Sequence, residues 1–223
     1  MEITPIATFH SPFNEKFGIP RQSGIVGALE GTIMFEPQFR NPDSIRGIEE
    51  FDYLWIIWEF SANKHAATSP TVRPPRLGGN TRIGVYATRS PYRHNSLGLS
   101  AVKLDRVELN TPQGPIIHVN GADLMDGTPI YDIKPYIAYA DAYPEARSGF
   151  VDNNDWNQLE VYIPQEVENM FTKQQLEALR QSLALDPRPH YHNDPHKVYG
   201  MRFAGHDIHF NVDEKILRVI TIK

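Results

Sequence analysis

The 223-residue chain contains no cysteine. Disulfide bonds, thiolate zinc or iron–sulfur sites and a cysteine nucleophile are therefore excluded. Long hydrophobic runs are also missing: the longest aromatic and aliphatic stretch, residues 53–58, is much shorter than a membrane span. The first ten residues contain no Lys or Arg, so they do not predict a signal peptide. From these absences we expect a cytoplasmic protein.

Acidic residues are absent from residues 61–104, which carry seven basic residues. The rest of the chain has 15 basic and 27 acidic residues, and the whole chain has a formal net charge of -5, which excludes a uniformly basic nucleic-acid coat. A basic segment inside an acidic protein favours an anionic partner bound on one face. The alternative is that these arginines pair with acidic residues from elsewhere in the fold.

The first two thirds of the chain has short apolar or alternating segments and no long helical pattern. These segments predict strands at residues 3–9, 31–35, 51–60, 81–88, 99–109 and 115–119. Residues 51–60 are so apolar that they predict a strand buried on both faces. Short strands without intervening helices are typical of a closed or strongly curved sheet. We therefore predict a mainly β protein with a small β-barrel and no Rossmann sheet.

The pattern changes after residue 144. Residues 159–163 predict a strand, and Pro164 opens a helical pattern with apolar residues at spacings of three to five up to Leu183. Three further short strands are predicted at 198–203, 207–212 and 216–222. We therefore predict a β-barrel domain over residues 1–145 and a smaller α+β domain over residues 146–223.

Several common site types are excluded by their missing motifs. No glycine-rich turn joins a strand to a helix, no Gly-Lys-Ser/Thr occurs, and Gly-x-Ser-x-Gly is absent. Imidazole and carboxylate groups suit zinc or iron, and several cluster late in the chain. Because this segment follows two prolines in a loop, we interpret its histidines as surface residues and predict no metal. The members of this cluster are His190, His192, His196, His206, His209, Asp194 and Asp207.

Four polar motifs remain as candidate binding elements. Each alone is compatible with an ordinary turn, but together, with three of them containing arginine, they favour a site. Glycine lets backbone amides approach a ligand closely, and residues two apart on an extended segment point to one face. The motifs are Pro20-Arg21-Gln22, Arg73-Pro74-Pro75-Arg76, Arg89-Ser90-Pro91-Tyr92-Arg93-His94-Asn95, and Asp126-Gly127-Thr128-Pro129 followed by Asp132-Ile133-Lys134-Pro135-Tyr136.

In this order the motifs resemble the TsaA-like family of S-adenosylmethionine-dependent tRNA (adenine-N6)-methyltransferases. The resemblance extends over residues 17–24, 73–80, 84–98 and 126–136, and it includes Asp186-Pro187-Arg188-Pro189 with Tyr191. It implies a β-barrel that binds the methyl donor without a Rossmann sheet, a homodimer, and a C-terminal domain that helps to hold tRNA. The implied reaction methylates N6 of threonylcarbamoyladenosine beside the anticodon of threonine tRNA.

The resemblance also implies roles for individual residues. The donor pocket would contain Pro20, Arg21, Gln22, Ser61, Arg89, Asp126, Gly127, Thr128 and Pro129. Because the acceptor nitrogen loses a proton on methylation, a nearby base would help. We hypothesise that Asp132 or Asn95 orients the acceptor and that Lys134 and Tyr136 position it. The expected contacts to tRNA phosphate or to the threonyl carboxylate are Arg73, Arg76 and Arg93.

Two other classes of function stay open at this point. A non-catalytic RNA-binding barrel would use Tyr92 and Arg93 against exposed bases, but it leaves Asp126 and Asp132 without a role. A metal-dependent hydrolase would use the late histidines, and a chelator would inactivate it.

Overall fold

The computed structural model describes residues 2–63, 69–74, 77, 80–152, 158–189 and 194–223. Strands predominate in it, with three short α-helices: α1 (Ala138–Asp141), α2 (Gln165–Glu168) and α3 (Lys173–Ala184). The strands are β1 (Ala7–His10), β2 (Glu30–Phe35), β3 (Tyr53–Glu59), β4 (Thr71–Val72), β5 (Ile83–Gly84), β6 (Leu97–Glu108), β7 (Ile116–Asn120), β8 (Thr128–Pro135), β9 (Glu160–Tyr162), β10 (Tyr199–Phe203), β11 (His206–Asp213) and β12 (Ile216–Ile222).

Six strands close into a barrel in the order β1-β2-β7-β6-β3-β8, and every neighbouring pair is antiparallel. Alternate residues point inward, so the barrel is filled by side chains that are fully buried, among them Phe9, Ile33, Ile56, Ile117 and Ile130. The predicted mainly β fold with a small barrel is confirmed.

Strand β3 differs from its prediction. Leu54, Ile56 and Trp58 are buried, whereas Trp55 and Ile57 on the other face are only partly buried. The prediction of a strand buried on both faces is therefore wrong. A barrel wall has one inner and one outer face, and the outer aromatic and aliphatic residues of β3 are left at the surface of the chain.

The segment 81–88 is also not the single strand that its alternation predicts. Only Ile83–Gly84 is a strand, and a 3₁₀ turn follows at Val85–Ala87. The hydroxyl of Thr88 donates to the Val85 carbonyl at 2.9 Å and closes this turn. A hydroxyl that satisfies the backbone locally competes with a strand ladder.

The C-terminal region forms a four-stranded sheet in the order β10-β11-β12-β9, with β9 parallel to β12. The predicted continuous helix after Pro164 is two helices, α2 and α3. Thr172 caps α3 by accepting from the backbone N–H of Gln175, whose side chain accepts from the Thr172 N–H in return. A capping box of this kind starts a new helix. The predicted α+β character is confirmed.

The loop between β1 and β2 packs against this C-terminal region. Its Phe13, Val26 and Leu29 are buried in one hydrophobic cluster with residues of α3, β10 and β11, such as Leu179 and Phe210. The loop therefore joins the barrel to the C-terminal sheet. Of the helices in the part of the chain that the structure describes, none is long and apolar enough to cross a membrane.

Candidate active site

A cavity of about 790 Å³ opens at one end of the barrel. Its wall is formed by the β1–β2 loop, by β3 and the residues just after it, by the start of β6 and the segment that precedes it, and by residues 123–128, between β7 and the start of β8. Trp58 and Phe60 form an aromatic part of the wall, with ring centroids 4.3 Å apart. The volume is within the range of small-molecule sites.

Two of the predicted motifs meet in this wall although 67 residues separate them. The guanidinium of Arg89 donates to the side-chain oxygen of Gln22, which ties the segment before β6 to the β1–β2 loop. Of the residues predicted to bind donor, acceptor or tRNA, those that line the cavity are Pro20, Arg21, Gln22, Ser61, Arg89, Arg93, Asn95 and Thr128.

Arg21 lines the cavity. Burial lowers the pKa of its guanidinium, and the nearby Asp186 carboxylate acts in the opposite direction. Asp186 in turn accepts from the Arg188 guanidinium at 2.8 and 2.9 Å. The Asp186-Pro187-Arg188-Pro189 motif of the C-terminal region therefore lies close enough to influence the charge of a cavity residue.

The segment between β5 and β6 is held by its own side chains. Arg93 donates to the carbonyls of Thr88 and Ser90 at 3.2 and 3.3 Å, and the Tyr86 hydroxyl is 3.0 Å from Nδ1 of His94. These contacts fix the backbone that presents Arg89 and Asn95 to the cavity.

Three predicted donor-binding residues lie beside the cavity and not in its lining. Asp126 is 3.0 Å from Nδ1 of His10 and accepts from the Ser11 N–H at 3.2 Å. Gly127 has a φ of +75°, a conformation that favours glycine, and its N–H donates to the barrel strand β1 at Phe9. Pro129 lies opposite a residue of the same strand. This motif joins β8 to β1 directly behind Thr128.

Asp132, Lys134 and Tyr136 lie on or just after β8, outside the cavity lining. Lys134 and Asp132 form an ion pair at 2.8 Å, and both are partly exposed. The ring of Tyr136 is 5.5 Å from that of Trp55, which does line the cavity. The structure thus separates these three residues from Asn95 and places them on the adjoining outer surface of the barrel.

The remaining predicted site residues lie next to, or outside, the residues that the structure describes. Arg73 follows β4 and is exposed. Arg76, His190, His192 and Tyr191 lie outside the described residues. Among the residues that are described, no group of three His, Asp or Glu side chains is arranged to hold a metal ion.

Two carboxylates of the wall were missed by the sequence reasoning. Asp123 accepts from the Ser100 hydroxyl at 2.6 Å, and burial raises its pKa, whereas that hydrogen bond and the charge of Arg89 act to lower it. Glu59 accepts from the Tyr131 hydroxyl at 2.6 Å, a contact that raises the pKa of Tyr131 to about 12. Neither carboxylate belongs to a motif, although Asp123 stands only three residues before Asp126 in the sequence.

Comparisons with known proteins agree with the motif resemblance. Residues 8–142 match the family described as the tRNA-methyltransferase O N-terminal domain, and residues 157–223 match the TrmO C-terminal domain. The tRNA (adenine(37)-N6)-methyltransferase of Escherichia coli is 34% identical over 226 residues, which cover 98% of this chain and 96% of that protein. A protein of Pseudomonas aeruginosa named as a putative S-adenosylmethionine-dependent methyltransferase is 35% identical over 99% of this chain and 96% of its own.

Solved structures give the same result. The crystal structure of TrmO from Pseudomonas aeruginosa superimposes with a TM-score of 0.80 at 30% sequence identity, covering 100% of this chain and 98% of that one. Barrel and C-terminal sheet are therefore both shared with this relative. The family predicted from the motifs is confirmed, and the chain belongs to the TrmO family of tRNA methyltransferases.

Proposed function

We propose that the protein transfers a methyl group from S-adenosylmethionine to N6 of threonylcarbamoyladenosine next to the anticodon of threonine tRNA. The observation that supports this most directly is the cavity, because two distant family motifs are joined in its wall through Arg89 and Gln22. Membership of the TrmO family supports the class of reaction, an S-adenosylmethionine-dependent tRNA methylation.

The methyl donor occupies the cavity in this proposal. The aromatic faces of Trp58 and Phe60 suit its cationic sulfonium, since cations are attracted to the faces of aromatic rings. The position of Thr128 in the cavity wall is fixed by its neighbours at the start of β8. These neighbours, Asp126, Gly127 and Pro129, contact β1 and the residues that follow it. The proposed direct contacts to the donor are Pro20, Arg21, Gln22, Ser61, Arg89 and Thr128.

The acceptor enters from the outer surface of the barrel. Transfer breaks the bond between sulfur and methyl carbon, forms a bond from that carbon to N6, and releases the N6 proton. Asn95 in the wall orients the acceptor, while Asp132, Lys134 and Tyr136 contact the modified nucleoside at the cavity mouth beside Trp55. Alignment of donor and acceptor contributes much of the acceleration.

Contacts to the tRNA backbone come from the basic segment. Arg93 lines the cavity, and Arg73 is exposed after β4. Guanidinium groups suit phosphate and carboxylate oxygens, so these arginines bind the tRNA phosphates or the threonyl carboxylate. We include Arg76 in this set from its place in the sequence.

A second copy of the chain is proposed to cover the outer faces of β3 and β6. Three apolar side chains are exposed there: Tyr53 by 43%, Leu97 by 36% and Leu99 by 57%. Leu97 and Leu99 also line the cavity, so the exposed face is continuous with the site. Burial of such a surface stabilises homodimers. We also propose that the protein is cytoplasmic and that it has two domains, at residues 1–145 and 146–223.

The test is methyl transfer from labelled S-adenosylmethionine to two tRNA pools, one normal and one that lacks the threonylcarbamoyl group. We expect label in the normal pool alone, in the threonine tRNA fraction, and release of S-adenosylhomocysteine in equal amount. Label in both pools would show that the modified base is not required. Donor binding without transfer to either pool would mean a different acceptor, and tRNA binding without donor binding would favour the non-catalytic RNA-binding barrel.

A further inference from the structure

The cavity wall has an uneven balance of charge. Four of its described lining residues are Lys or Arg, whereas two are carboxylates, Glu59 and Asp123. S-adenosylmethionine carries a sulfonium, an ammonium and a carboxylate, so its net charge is positive. A cation that enters a wall with more basic than acidic groups needs a carboxylate to pair with its positive groups.

The two carboxylates differ in how they are already engaged. Glu59 is on the outer face of β3, and its Oε2 accepts from the Tyr131 hydroxyl at 2.6 Å. Asp123 lies just after β7 and is held from behind, by the Ser100 hydroxyl at 2.6 Å and by the backbone N–H of Ser23. The Asp123 carboxylate is therefore fixed against the barrel while it contributes to the wall.

Two linked hydrogen bonds determine that the Ser100 hydroxyl donates to Asp123. The indole Nε1 of Trp58 donates to Oγ of Ser100 at 3.0 Å. Because Oγ accepts there, its own proton is free to point at Asp123. Ser100 is only 1% exposed, so water does not compete for these hydrogen bonds. Groups held in this way bind a ligand with little loss of conformational freedom.

Arg89 completes a pair of opposite charges on the same wall. Its charge acts on Asp123, and its guanidinium is oriented by Gln22. A fixed carboxylate beside a fixed guanidinium matches the ammonium and the carboxylate of an amino acid. The amino-acid end of S-adenosylmethionine has both groups on one carbon.

We propose that Asp123 binds the ammonium group of the methyl donor's amino-acid end, with Arg89 binding its carboxylate. This assignment rests on the proposed function, because it requires S-adenosylmethionine in the cavity. A bound ammonium would also offset the unfavourable burial that raises the pKa of Asp123.

The experiment compares three ligands by calorimetry with the full chain. S-adenosylmethionine and S-adenosylhomocysteine both have the amino-acid end, and 5′-methylthioadenosine lacks it. We expect Asp123→Asn to weaken the first two about 10- to 100-fold and to leave 5′-methylthioadenosine unchanged, as for the loss of a hydrogen bond between charged groups. Asp213→Asn makes the same change of charge at an exposed position of β11 and should leave all three affinities unchanged.

Each other result overturns the assignment in a distinct way. Weaker binding of S-adenosylmethionine alone would place Asp123 at the sulfonium, and equally weaker binding of all three ligands would make it a structural residue. Unchanged binding with slower methyl transfer would place it at the acceptor. If the unaltered protein bound none of the three, the proposed function itself would fail. Asp123→Ser, which removes the charge with less bulk, replaces Asp123→Asn if that variant does not fold.

Discussion

Gly98 and Trp58 lie opposite each other on β6 and β3, and the indole of Trp58 occupies the space in which a side chain at position 98 would stand. Both residues line the cavity. The ring is buried, and its Nε1 is bonded to Ser100. Because Gly98 has no side chain, the indole of Trp58 can take its place in the wall of the candidate donor site.

Gly98→Ala is expected to lower the free energy of unfolding by about 1–3 kcal/mol, because the new methyl group overlaps a buried ring that cannot move without repacking. Affinity for S-adenosylmethionine should fall as well, since Trp58 must shift. Urea unfolding and calorimetry measure the two effects. Gly84→Ala is the matched control, because a Cβ there meets no atom within 4 Å. Equal stability of the two variants would contradict the proposed role of the contact.

The pH dependence of stability should reveal the charge on Asp123. Burial raises its pKa in the folded state above the value in the unfolded chain. The folded protein therefore holds the proton more tightly, and stability decreases as pH rises through the folded-state pKa. Asp123→Asn removes this loss. The free energy of unfolding of the variant minus that of the unaltered protein should therefore be larger at about pH 7 than at about pH 3.5.

Urea unfolding at both pH values measures this difference. Asp213→Asn, at an exposed position, should show the same relative stability at both. A pH-independent difference for Asp123→Asn would mean that its carboxyl has the same pKa in the folded and unfolded states.

The proposed dimer makes a simple prediction about Leu99. Leu99→Lys places a charge in the exposed apolar face of β3 and β6. Because an unpaired charge is costly to bury, the variant should be monomeric in sedimentation equilibrium at concentrations where the unaltered protein is dimeric. Ile220→Lys alters an apolar residue of β12 with a similar exposure and should stay dimeric. A monomeric unaltered protein would refute the dimer itself.

Arg73→Ala should weaken tRNA binding most at low salt. If its guanidinium neutralises one phosphate, the plot of log affinity against log salt should become shallower by about one. Arg218→Ala removes the same charge from an exposed position of β12 and serves as the control. Identical slopes for the two variants would remove Arg73 from the proposed tRNA contacts. Filter binding over a salt series measures this.

Local patterns in the sequence predict most of the barrel, because an alternating strand such as β7 reports its inner and outer faces directly. β8 is the exception: it begins in a segment with Asp, Gly and Pro, and Pro129 cannot donate to a ladder. Its closure of the barrel between β1 and β3 depends on pairing with residues far away in the chain. No local pattern contains that information.

The candidate site was predictable to the extent that motifs mark it. Gln22 and Arg89 were found from the sequence because each lies in a polar motif, and the structure places them in contact. Asp123 was not found, since its partner Ser100 lies on β6 and the residue that donates to Ser100, Trp58, lies on β3. A single carboxylate is distinguished by its burial and its partners, and both are properties of the folded chain.

The β1–β2 loop has a thermodynamic consequence for the whole chain. It inserts Phe13 and Val26 into the C-terminal hydrophobic cluster and also contributes Arg21 and Gln22 to the cavity wall. A ligand that orders the wall therefore also disfavours opening of that cluster, because binding and local unfolding are linked. Binding of a ligand in the cavity should therefore slow amide hydrogen exchange in β10 and β11, although the ligand does not touch these two strands.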